Sequence, residues 1–174
     1  DTVLVGRVTD EQGKIRSVIV NYACHPVSVG GGNRLISPDY IGTMREVVED
    51  NTNGAVCVFF HGPSGDTTPR RSYEDGVEAA EQNGRELGFA ALAALSSMFP
   101  AGQNLEYQGI EESGTPLGIW RLTDKSDFDT EIAGELIKTK LPLLDFPSRA
   151  ELEASLAVAT ENFEIERIER SIAR

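Results

Sequence analysis

Three consecutive segments, 15–24, 37–50 and 55–60, constrain the fold most, because they read as strand, helix, strand. Ile15 to Cys24 carries Val18, Ile19, Val20 and Tyr22, the β-branched and aromatic types that suit a pleated surface. Ser37-Pro38-Asp39 predicts a helix start. Ser37 serves as cap, Pro38 takes the first helical position and Asp39 sits on the positive dipole end. Tyr40, Ile41, Met44, Val47 and Val48 then follow a helical period. Ala55 to Phe60 (AVCVFF) is an unbroken apolar run, which predicts a strand buried on both faces. A crossover of this kind is right-handed and its strands are parallel. Both strand ends then meet at one sheet edge, where His25 follows the first strand and His61 the second. Open α/β sheets hold their sites at that edge.

The rest of the chain predicts helices packed on this sheet. Val3, Val5 and Val8 mark a strand over 2–9, joined to the next by the turn Asp10-Glu11-Gln12-Gly13-Lys14 as a hairpin. A long helix is expected over about 73–98. Its stripe is Val77, Ala80, Gly84, Leu87, Gly88, Ala91, Leu95 and Met98, with the two glycines pressed on a sheet. Residues 104–123 read as extended, and 126–141 as a helix through Phe128, Ile132 and Leu136. Ser148-Arg149-Ala150-Glu151 is a capping box. It opens a long charged helix with Leu152, Leu156, Ala159 and Phe163 inward and a Glu166–Arg170 pair. The fold class is α/β: a mixed sheet with a parallel βαβ unit and helices packed on it. The chain has 174 residues, one domain or two at most. It begins at Asp1 and stops at Arg174 without a helix-ending residue, which points to a piece of a longer protein.

Composition removes several function classes. The chain carries 28 Asp+Glu against 16 Lys+Arg, a net charge of -12, which argues against coating nucleic acid and disfavours an anionic membrane surface, since both need a basic face. No apolar run reaches the roughly 18 residues of a membrane span. Cys24 and Cys57 form no metal-knuckle or disulfide pattern and read as small buried hydrophobes. With only two histidines, this chain alone has little scope for metal or acid–base chemistry.

Each element of the candidate site has a plain reading beside a chemical one. His25 and His61 are either polar residues satisfied at strand ends or metal ligands and bases. The loop His61-Gly62-Pro63-Ser64-Gly65-Asp66-Thr67-Thr68-Pro69-Arg70 admits several readings besides a simple tight connection. Ser64 could stand on a nucleophile elbow, although Asp66 occupies the last glycine position of G-x-S-x-G. The glycines could cradle a phosphate, without the G-K-[ST] ending of a P-loop. The loop amides and Asp66 could shape an anion pocket beside His25. Catalytic zinc usually takes three protein ligands and an open position. His25, His61 and one of Asp39 or Asp66 are the local candidates.

Three stretches carry a family resemblance. Asn21-Tyr22-Ala23-Cys24-His25-Pro26-Val27 resembles the "ACHPT" segment of neutral/alkaline ceramidase-type hydrolases. Ile36-Ser37-Pro38-Asp39-Tyr40-Ile41-Gly42 resembles the "S-x-D-Y-x-G" that follows it there. Phe59 to Pro69 resembles the family's "Q-G-x-x-G-D-x-[SN]-P". The motifs stand in family order, and the resemblance covers about Thr2 to Leu95. The resemblance implies part of a single α/β hydrolase-type catalytic domain over 1–174, with N- and C-terminal portions of that domain lying outside this chain. It implies a zinc-dependent amidohydrolase that cleaves an N-acyl bond, with a lipid-like amide as substrate; true ceramidases release sphingosine and a fatty acid. His25 inherits a zinc-ligand role. The family's earlier histidine and its later Glu and Tyr have no counterpart here. Thr68 occupies the position of the family's serine nucleophile, Asp66 matches a family Asp, and Gly62, Gly65 and His61 line the substrate side. His61 stands where the family often has Gln, which lowers its claim as a ligand. Ser64 stands at a variable position, which lowers the elbow reading. With Thr68 in place of Ser, the resemblance favours metal-activated water over an acyl-enzyme, with Thr68 as a hindered nucleophile or an oxyanion donor. Members of that family are often exported. Two rivals stand beside this reading: a non-catalytic binding module that kept the fold, and a metal-free serine hydrolase using Ser64.

Overall fold

The computed structural model describes residues 2–127, 129, 131–142 and 144–174. The chain divides into two compact units, 1–129 and 130–174.

The first unit is a mixed α/β structure built around strand β1 (Val3–Thr9), strand β2 (Ile15–Tyr22), helix α1 (Asp39–Asp50), strand β3 (Val56–His61) and helix α2 (Glu78–Ser96). The sheet order is β1-β2-β3. β1 and β2 form the expected antiparallel hairpin, with Val5 opposite Val20. Asp10 organises its turn, accepting the Gln12 and Lys14 N–H groups at 3.0 and 2.9 Å. β2 and β3 are parallel neighbours, with Val18 opposite Cys57 and Tyr22 opposite His61. The expected crossover is therefore present, and both strands end at one edge.

The core lies on one face of this sheet. Val18, Val20 and Cys57 point into it, with Phe59 packed at its margin. Tyr40, Met44 and Val48 of α1 and Leu87, Ala91 and Leu95 of α2 cover them. The opposite face of β3 is bare, contrary to the expectation from its continuous apolar run: Val56 and Phe60 are 55% and 56% exposed. An uninterrupted apolar composition is compatible with one covered face or two, and here both helices lie on the same side.

The helices also depart from the pattern. α1 begins at Asp39 rather than Pro38. Asp39 itself has φ +52, and Ser37 Oγ accepts the Asp39 N–H at 3.0 Å. α2 starts at Glu78, later than its periodicity implies. Its two glycines press on α1, not on a sheet. A Cβ on Gly84 would lie 2.5 Å from the Tyr40 carbonyl oxygen, and one on Gly88 would lie 2.7 Å from Val47 Cβ. The stripe of small residues thus sets how closely two helices approach.

A knot of charge ties the end of α1 to the start of β3. Glu49 accepts the Cys57 N–H at 2.9 Å and pairs with Arg45 at 3.2 Å, while Arg45 Nε donates to the Cys57 carbonyl at 2.9 Å. The Cys57 N–H, followed by the Arg45 guanidinium, holds the Glu49 carboxyl below the usual carboxylate range. A carboxyl depressed in the folded state contributes stability above its unfolded pKa and loses it as pH falls through the folded value. Glu49→Gln is therefore expected to cost about 1 kcal/mol at neutral pH, the scale of a half-exposed charge-assisted bond. The difference should shrink as pH falls below the ordinary Glu range. Urea unfolding of both proteins between neutral and acid pH checks this; a gap independent of pH would contradict it.

Beyond α2, strands β4 (Gln103–Glu112) and β5 (Pro116–Asp124) make a separate antiparallel hairpin, in agreement with the extended reading. Gly109, at φ +122, accommodates an irregularity in its register, and Tyr107 packs edge-on against Trp120.

In the second unit, residues 131–142 are irregular instead of helical, and Ile132 and Leu136 are exposed. Phe128, named in that expected helix, lies outside the described residues. The capping box is present: Ser148 Oγ accepts the Glu151 N–H while the Glu151 carboxylate accepts the Ser148 N–H at 2.7 Å. The single long helix is instead two, α3 (Arg149–Val158) and α4 (Asn162–Ile172), broken where Ala159 turns extended. Phe163 is exposed and Ile168 is the buried residue of α4. Glu166 and Arg170 pair at 3.0 Å as expected. Among the described residues, no helix is long and apolar enough to cross a membrane.

Candidate functional site

Parallel pairing of β2 and β3 brings the segments after them together. Gly62 N–H donates to the Tyr22 carbonyl at 3.0 Å, extending the ladder one step past His61. A Cβ on Gly62 would lie 2.9 Å from Ala23 Cβ, so the two chains run too close there for a side chain to fit without movement. One step further, the His25 N–H donates to the Thr67 carbonyl at 2.8 Å. The 62–69 loop thus folds back over the end of β2.

Ser64 joins the two histidines. Its backbone carbonyl accepts from His25 Nδ1 and also from the Thr67 N–H at 3.1 Å. Its hydroxyl lies 2.7 Å from His61 Nε2. Ser64 is 6% exposed, whereas His61 is open to solvent and stacks on Phe59. The imidazole centroids are 5.9 Å apart, edge to face. A carbonyl oxygen only accepts, so His25 Nδ1 carries the proton. In the neutral ring Nε2 then holds a lone pair. Fixing the tautomer through Nδ1 in this way is what partners of metal-bound histidines do.

The remaining predicted residues are placed around this pair. Gly65 has open space on its Cβ side. Asp66 is exposed and accepts a weak bond from Thr67 Oγ1 at 3.4 Å. Thr68 lines a cavity with Cys24, Tyr40 and Arg70. Asp39 is buried and turned to the backbone, accepting the Val29 N–H at 3.0 Å and its neighbour Tyr40 N–H at 2.7 Å. Among the described residues, no three His, Cys, Asp or Glu side chains converge as a metal-ligand set. The local grouping of His25 and His61 with Asp39 or Asp66 is therefore not formed.

Beneath the site, Tyr40 donates to the Cys24 carbonyl at 2.6 Å, and its ring meets Tyr22 and Phe59 edge-on. Burial, followed by the neighbouring Cys24, pushes the Tyr40 phenol well above its usual range, so it stays a donor. Burial likewise raises the Cys24 thiol, with the Asp39 charge adding to it, which makes Cys24 a poor nucleophile. A second layer braces the 25–36 loop: Asn83 of α2 donates to Ser28 Oγ and to the Arg71 carbonyl, both at 2.9 Å.

Two features escaped the sequence reading. One is Ser64 as the bridge between the histidines. The sequence signal for it is that His61 and Ser64 stand three residues apart, on either side of Gly62-Pro63, at a shared edge. The other is Arg70 on the cavity wall, directly after the motif's proline.

Fold and site together define a mixed α/β unit with a two-histidine edge and an adjoining cavity. Neither a family model nor a curated protein matches the chain. Among solved structures, neutral ceramidase from Pseudomonas aeruginosa is similar over 67% of this chain, with 18% identity and a TM-score of 0.47. The chain spans 22% of the length of that protein.

Proposed function

We propose that this chain forms part of a zinc-dependent hydrolase acting on the N-acyl amide bond of a lipid-like substrate. The observation that supports it is the His25 ring, clamped at Nδ1 by the Ser64 carbonyl with Nε2 left as a lone pair. The three ordered motifs resemble ceramidase-type hydrolases, and that resemblance implies a ligand role for His25. His25 fits zinc as one nitrogen donor; the described residues supply no complete ligand set, so this reading requires the other ligands to come from outside them. When bound, the metal supplies Lewis-acid polarisation of the amide carbonyl. Thr68 donates its hydroxyl to the oxygen that gains charge there. The loop carrying Gly62, Gly65 and Asp66 delivers Thr68 to the cavity wall, and His61 stands at the base of the same loop, bonded to Ser64. Metal analysis of the complete gene product after zinc loading tests this. Stoichiometric zinc is expected, lost in His25→Ala, with only weak zinc in the 174-residue chain. A complete protein that stays zinc-free removes the reading and favours a binding module that kept the fold.

A second reading has its own observation. The 2.7 Å contact between Ser64 Oγ and His61 Nε2 is the spacing of a nucleophile and its base. In that reading Ser64 attacks without a metal. Labelling by a fluorophosphonate that persists with chelator and is lost in Ser64→Ala would support it; no labelling would leave Ser64 as the clamp on His25.

A further inference from the structure

We infer that the cavity beside Thr68 takes an N-acyl amino acid, with Arg70 holding the free carboxylate. This rests on the amide-hydrolase reading for the nature of the scissile bond, but its binding component stands alone. The cavity has a volume of about 330 Å³. That is the low end of the roughly 300–1,000 Å³ usual for small-molecule sites. Val3 of β1 and Leu87 and Ala90 of α2 give it an apolar wall, while Thr68, Arg70 and Glu86 give it polar groups.

The two adjacent arginines differ in how they are used. Arg71 is consumed by the fold, pairing with Glu74 at 2.7 Å and donating to Gln82. Arg70 has no ion pair or side-chain hydrogen bond with any described residue, in a chain with 28 acidic residues to choose from. A guanidinium on a cavity wall offers a planar fork that matches a carboxylate in two-point contact. Glu86 on the same wall opposes a second negative charge, which favours a monoanionic carboxylate over a phosphate. Thr68 and Arg70 are two residues apart, so their backbones stand no more than about 7 Å from each other. An amide carbonyl at Thr68 and a carboxylate within reach of the Arg70 side chain can belong to one small molecule, as in an N-acylated amino acid. The acyl chain then lies along Val3, Leu87 and Ala90.

Titration calorimetry of the 174-residue chain with N-octanoylglycine and with neutral N-octanoylethanolamine tests this. The acid should bind at least about tenfold more tightly than the neutral amide, the scale of one charge-assisted two-point contact. Arg70→Gln should erase the difference without changing the circular dichroism, since the Arg70 side chain makes no hydrogen bond or ion pair with any described residue. Glu86→Gln should widen it. Equal binding of the two ligands, no binding of either, or a preference that survives Arg70→Gln overturns the inference. Selective binding with no zinc-dependent cleavage of N-octanoylglycine by the complete protein would leave this site standing and count against the hydrolase reading instead.

Discussion

Gly84→Val should destabilise the first unit by about 3 kcal/mol or more, at the upper end of what overpacking a tight core costs. The Cβ alone would stand 2.5 Å from the Tyr40 carbonyl oxygen, 2.7 Å from Thr43 Cβ and 3.0 Å from the Met44 nitrogen. Two of these three atoms are backbone, so no side-chain rotation relieves them, and α1 and α2 must move apart. Movement at this point also loosens the packing of Met44, Val48, Leu87 and Ala91 against β2. Gly84→Ala is the sharper test. An alanine in a helix gains about 1 kcal/mol of propensity over glycine, so a net loss of about 2 kcal/mol would show that contact outweighs propensity. Gly31→Ala serves as control, because nothing lies within 4 Å of its Cβ position. The measurement is the urea midpoint at unchanged slope. Gly84→Ala as stable as the parent would mean that the two helices do not approach this closely.

Those glycines also show what the sequence carried and what it did not. Their spacing, with Ala80, Ala91 and Leu95, marked one face of α2 for a close approach, and that face is buried. Periodicity reports that a face is covered and is silent on the cover, which turned out to be α1. The βαβ unit was readable for a stronger reason: a strand, a helix of about three turns and a second strand commonly pair in parallel through a right-handed crossover, and β2 and β3 do so here. From that pairing the common edge of His25 and His61 followed before any side chain was placed. The helix expected around Ile132 and Leu136 failed for the opposite reason. Ile132 and Leu136 are exposed, Gly134 lowers the propensity, and short helices in water depend on packing. The break at Ala159 divides a pattern that looked continuous, since neither Ala159 nor Thr160 is a helix breaker by type. At the site, residue types indicated a histidine-and-loop edge. That Ser64 serves His25 with its carbonyl and His61 with its hydroxyl depends on where two oxygens of one residue point, which no one-dimensional pattern encodes.

The same edge makes Tyr40 the side chain whose loss should be felt in both core and site. Tyr40→Ala is expected to cost about 3–5 kcal/mol, the range for emptying a buried aromatic position. The side chain is 2% exposed, and its ring meets Tyr22 on β2 and Phe59 on β3, the strands that deliver the two histidines. Tyr40→Phe separates the hydroxyl from the ring. It keeps the packing and leaves the Cys24 carbonyl without the donor that meets it at 2.6 Å, a loss of about 1–3 kcal/mol for a buried acceptor. Because Cys24 immediately precedes His25, the smaller change should also register at the site. The His25 ring resonances in nitrogen-resolved NMR should shift in Tyr40→Phe, with Nδ1 still protonated, while residues of the β4–β5 hairpin stay in place. A Tyr40→Phe protein with native stability and an unchanged His25 signal would show that the hydroxyl bond does not hold the end of β2. The position of His25 would then rest on its contacts with the loop, to Ser64 and Thr67, and on its ring contact with His61.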